Sequence, residues 1–105
     1  MAVTSKALFR GAATTTTSTV LYTVPASTTT VVTNIAVTNT GSSAYTFTLG
    51  MGTAGSNTAL HTTTSIGANT TIYIDLRQAL VATNTITGGA SNVAINFHIS
   101  GVEIA

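Results

Sequence analysis

Apolar and polar residues alternate at a period of two along most of this chain, the spacing that puts one set of side chains on one face of a β-strand. Tyr45, Phe47, Leu49 and Met51 alternate most cleanly, with Thr46, Thr48 and Gly50 opposite. Val20, Tyr22 and Val24 share a face before Pro25 ends the run, and Val31, Thr33, Ile35 and Val37 share the next. Ile72, Ile74 and Leu76 follow, flanked by Tyr73 and Asp75. Val93, Ile95, Phe97 and Ile99 make the last long face, against Ala94, Asn96, His98 and Ser100. The apolar phase then flips from odd to even positions at Val102 and Ile104. Gly101 stands at the flip, which predicts a bulge there.

Turn residues punctuate these runs at Pro25–Ser27, Asn39–Ser43, Gly52–Asn57, Gly67–Asn69 and Gly88–Asn92. Weaker runs at Leu8-Phe9, Ala59-Leu60-His61 and Thr85-Ile86-Thr87 add candidate strands, and Arg77–Val81 has room for one helical turn. The count is seven or eight short strands. That predicts an all-β chain, an antiparallel β-sandwich of jelly-roll-like type. Residues 18–105 read as the sandwich domain and residues 1–17 as an N-terminal arm ending in the Thr14–Thr17 linker. The arm holds Lys6, Leu8, Phe9 and Arg10. It has two expected fates: an apolar anchor with a cationic rim that grips a neighbour, or an edge strand of its own sandwich.

Composition sharpens the picture. Threonine supplies 25 of 105 residues, whereas Lys6, Arg10, Asp75, Arg77 and Glu103 are the only charged side chains. Free domains carry about 25–35% charge on their surface to stay apart in solution. A Thr, Ser and Asn coat binds water but does little to repel a second copy, which points to life inside an assembly. Nucleic-acid binding needs several cations against phosphates, so it is not expected. No apolar run approaches the ~18 residues of a membrane helix. The start lacks the apolar stretch of a secretion signal, and cysteine is absent. The expectation is a chain made in a cytoplasm, with no membrane partner.

The segments Leu21–Ala26, Thr30–Thr40, Ile74–Leu80 and Ile99–Ile104 resemble small β-sandwich virion proteins of tailed bacteriophages, from about residue 20 to the end. The resemblance implies a structural role, decorating or cementing a capsid or serving as an accessory part of a tail. Its implied partners are the major capsid protein and further copies of itself. Its implied place is the capsid surface of a virion made in the host cytoplasm. A homotrimer is expected, because strand edges lacking Lys gatekeepers need cover. Lys6, Leu8, Phe9 and Arg10 are the expected capsid contacts.

Chemistry adds nothing that competes. His61 and His98 have no third ligand near them in sequence, and no Gly-x-Ser-x-Gly elbow is present. Asp75 and Arg77 lie two apart on one strand face, suiting a local ion pair, and Glu103 suits Lys6 or Arg10. No catalytic residue, metal site or cofactor is expected. A sugar-binding tail-tip module remains the alternative, with Tyr73 the best exposed aromatic. An ice-binding array of threonines would need a regular repeat, and the chain has no fixed period.

Overall fold

A computed structural model describes residues 2–105; Met1, counted with the arm above, lies outside the described residues. Eight strands follow one another: β1 (Val3–Ala12), β2 (Val20–Thr23), β3 (Thr29–Asn39), β4 (Tyr45–Thr53), β5 (Ser56–Ile66), β6 (Thr70–Leu80), β7 (Thr85–Ala90) and β8 (Ile95–Ile104). They form two four-stranded antiparallel sheets, A in the order β1-β8-β3-β6 and B in the order β2-β7-β4-β5. Consecutive strands switch sheets at every step except the β4–β5 hairpin, which is the strand order of an eight-stranded jelly roll. All three weak runs are strands. Arg77–Leu80 completes β6 and makes no helical turn.

The period-two faces close on one core. Phe47, Leu49, Ile86, Ile35, Phe97 and Ile99 are buried between the sheets, with the Phe47 and Phe97 rings edge to face at 6.2 Å. Asn39 is buried at the end of β3 with every polar atom used: its Nδ2 donates to the Ser43 and Ile66 carbonyls and its Oδ1 accepts from Gly41 N–H. A buried amide that is fully paired costs little and fixes the loops it ties.

Residues 3–12, counted in the arm, form β1 at the edge of sheet A, paired to β8. The Thr14–Thr19 stretch is tied beside β7, through Ala90 N–H to the Thr14 carbonyl and Gly88 N–H to the Thr19 carbonyl. Gly89 permits this close approach, because a Cβ there would strike the Thr16 carbonyl.

Four expected facings change. Val20 is 55% exposed, because the β2–β7 register shifts between Val20 and Tyr22. Val93 sits in the β7–β8 turn rather than on the core face, and Gly88-Gly89 belong to β7 rather than to that turn. Val31 and Thr33 leave the Ile35 face, because the β3 register shifts between Val32 and Asn34; Val32 turns inward instead. Finally, β8 continues through Gly101 without a break. The expected bulge lies on its neighbours, where β1 carries Leu8 and β3 carries Thr33 as extra residues. On β6 the same level falls at Leu76-Arg77, so a crease runs across the whole of sheet A.

Candidate interaction surface

The crease decides which side chains sheet A shows to the outside. Above it the pattern is ordinary. Ile95, Phe97 and Ile99 face the core, and one row across the outer face reads Arg10, His98, Ala36, Tyr73. Tyr73 is 72% exposed, and Asp75 stands on the same face, where its Oδ1 accepts from Asn34 Nδ2 at 3.2 Å rather than pairing with Arg77.

Below the crease β8 exchanges the character of its two faces. The unbroken alternation of β8 turns Gly101 and Glu103 inward and Val102 and Ile104 outward. Two outer rows result: Ser5, Val102, Val31, Ala79, and below it Val3, Ile104, Thr29. Val3 is 65% exposed, Ala79 is exposed, and Val31, Val102 and Ile104 are half-buried. The outer face of this end is therefore apolar, and none of these seven residues is charged.

The inner face there buries Val32 and Leu80 and adds a polar group beside them. Tyr22 reaches across from sheet B, donating its hydroxyl to the Glu103 carboxylate and meeting Thr30 Oγ1 at 2.9 Å. Lys6 Nζ closes the group from β1, 3.3 Å from Glu103 Oε2. The Tyr22 hydrogen bond, with help from Lys6, holds the Glu103 carboxyl below its ordinary range, although partial burial opposes this. Burial, and then the Glu103 carboxylate, push the Tyr22 hydroxyl up. Lys6 is thus the partner Glu103 takes, and Arg10 is not.

The four expected partner contacts separate. Leu8 is buried in its own core, against the bare face of Gly101. Phe9 is half-buried and packs on that core too. Lys6 faces Glu103, and Arg10 stands on the outer face beside His98. Sequence reasoning missed the apolar rows. Their one visible signal was the phase flip at Val102 and Ile104, which becomes a surface only when β1 and β3 shift at the same level.

A second feature is a groove of about 440 Å³ on sheet B, lined by Thr17, Ser18, Thr48, Thr87 and Gly50 among others, with no titratable side chain. Asn57 forms its wall by reaching over Gly50 to β7, where it bonds the Thr85 carbonyl and both Thr85 and Thr87 hydroxyls. Such a lining offers neutral hydrogen bonds and methyl groups, and no acid–base pair. His61 lies elsewhere, its ring tilted 38° against the Phe47 ring at 5.5 Å, with Nδ1 near the Thr64 hydroxyl. Among the described residues no three His, Cys, Asp or Glu side chains converge as a metal site would need.

No protein-family model matches the chain, and no curated protein matches it by sequence. Solved structures are similar in shape. A pentameric capsid protein isolated from metagenomic phage sequences is 17% identical with a TM-score of 0.46, covering 90% of this chain and 59% of that one. A second crystal structure of such a protein gives 15% and 0.38, covering 90% and 60%. A chain of infectious bursal disease virus, Gx strain, gives 13% and 0.51, covering 97% of this chain and 32% of that one. This chain thus spans less than two thirds of the length of each. At these identities the likeness is one of fold, and with the virus chain this protein shares its β-sandwich over nearly its whole length.

Proposed function

We propose that this chain is a structural protein of a virus particle, one that decorates and cements a tailed-phage capsid by bridging neighbouring major capsid subunits. The observation that carries the reading is the end of sheet A below the crease, where Val3, Val31, Val102 and Ile104 face outward. Contiguous outward apolar side chains mark surfaces that are covered in use. Here they sit on a coat too poor in charge to keep copies apart. The fold shared with a chain of a virus structure is consistent with this reading. Neutral contacts suit cementing, because what separates capsid subunits is resisted by buried area and satisfied hydrogen bonds at many identical sites.

The test places a lysine on the outer rows. Val102→Lys should leave the thermal midpoint within a few degrees of wild type, since the position faces out, and should strip the protein from purified particles. A Val102→Lys protein that folds and attaches at wild-type occupancy would falsify the reading. Imaging of a tagged copy distinguishes capsid from tail.

The groove on sheet B favours a second reading, a tail-tip module that binds a neutral sugar through threonine hydroxyls. Tyr73, the exposed aromatic a sugar face would stack on, lies on sheet A and not at this groove. A glycan-array signal abolished by Thr87→Val would favour this second reading over cementing.

A further inference from the structure

Sheet A ends in two edges of nearly equal length, β1 with 10 residues and β6 with 11, each hydrogen-bonded to the sheet on one side only. We propose that these edges join, β1 of one copy lying against β6 of the next, so that sheet A runs on from subunit to subunit. The inference rests on the reading of the chain as a particle protein that assembles with itself, and it names the surface that does so.

Strand direction allows it. β1 is antiparallel to β8, β8 to β3 and β3 to β6, so β1 and β6 run in opposite directions. A second copy in the same orientation presents its β1 antiparallel to β6, and the ladder continues with the hydrogen-bonding pattern it already has. The contact is head-to-tail, so repeating it builds a ring where the rotation closes and a filament where it does not.

Charge chooses the register. Arg10 on β1 and Asp75 on β6 both stand on the outer face. Setting Arg10 of one copy opposite Asp75 of the next puts Phe9 opposite Leu76 and Gly11 opposite Ile74, all inward. Phe9, Ile72, Ile74 and Leu76 pack on the core yet stay half-buried, because no strand lies beyond them. The joining strand would cover them. Past these pairs the extra residue Leu8 absorbs one position, as it does against β8. Ala7 then meets Arg77 and Ser5 meets Ala79, again outward to outward. The row Ser5, Val102, Val31, Ala79 of one copy thereby abuts the same row of the next, and the apolar patches merge into one band. Neither edge contains proline, since the chain's single proline is Pro25.

The experiment is a charge exchange read by sedimentation. Arg10→Asp, Asp75→Arg and the double variant are compared with wild type up to about 100 μM, with circular dichroism confirming the fold. Wild type should sediment as an oligomer. Each single variant puts like charges across the joint and should weaken association about tenfold, and the double should regain it. A wild type that stays monomeric, or a double variant as dissociated as the singles, overturns the proposal. Because the chain has no cysteine, an independent arm mixes Ser5→Cys with Ala79→Cys under oxidation. A covalent dimer found only in the mixture is expected, and its absence overturns the joint. Attachment of the same proteins to particles separates this inference from the function it rests on. Monomers that decorate particles fully overturn the joint alone. Ring-forming protein that never attaches supports the joint and overturns the particle reading.

Discussion

Glu103 shows how one side chain can be placed by its own strand's alternation rather than by its own hydropathy. It is the acceptor that Tyr22 and Lys6 share, on the inner side of sheet A. Its folded pKa lies below the ordinary value of 4.5. A carboxylate with a depressed folded pKa stabilises the fold above its unfolded pKa, and that contribution is lost as pH falls toward the folded value. Wild type should therefore lose stability as pH falls below about 5 more steeply than Glu103→Gln, measured by urea unfolding at each pH. Parallel slopes would show that the cluster contributes nothing. Tyr22 works in the opposite sense. Its pKa is raised above 10.0, so its contribution holds below that pH and fades as pH rises through the folded value. Leu8 tests packing. Truncation to Ala leaves a cavity under β1 and should cost about 2–4 kcal/mol of unfolding free energy, whereas an exposed anchor would cost almost nothing.

At the scale of the element, β1 belongs to the sandwich. It covers the outer edge of β8 over nine residue pairs, from Val3–Ile104 to Ala12–Asn96, and supplies Leu8 to the core. Deleting residues 1–13 should therefore lower the melting temperature by well over about 10 °C or prevent folding, since an edge strand and a core leucine go together. A truncated chain that melts like wild type would return these residues to the status of an arm. The crease is the other property of elements. Extra residues at Leu8 and Thr33 lie at one level beside β8, and a bulge swaps the face of everything beyond it on its own strand. Removing Thr33 alone should strongly destabilise the protein, because Thr29–Val32 would slip against a β8 that has not moved.

The whole molecule measures 45 × 25 × 18 Å and places its two candidate surfaces on different sheets, the apolar rows on A and the neutral groove on B. The apolar rows dominate the proposed attachment, so its dependence on salt should be weak. Particle occupancy compared between low salt and about 1 M salt, where the screening length falls to ~3 Å, should change less than about threefold. Wholesale release would move the weight of binding onto Lys6, Arg10 and Arg77.

The sequence by itself determined the class of fold and the character of the coat. Branched and aromatic residues at a period of two, broken by glycine and asparagine, specify strands wherever one face must be buried. That is why Phe47, Leu49, Phe97 and Ile99 are legible as core from the sequence alone. The scarcity of charge was equally plain. The tertiary structure alone decided the rest. Val31 and Thr33 read in phase with Ile35 until β8 imposes its register, and no local signal in Thr30–Asn34 marks the shift. The sequence left Leu8 open between an anchor and an edge strand, because what buries it is the bare face of Gly101, 93 positions further on. Pairing partners are non-local in an antiparallel sandwich, so a strand's alternation says which residues share a face and leaves open which face is inside. For the end of sheet A that choice was made by β1 and β3 shifting against an unbroken β8, and it turned scattered valines into a surface.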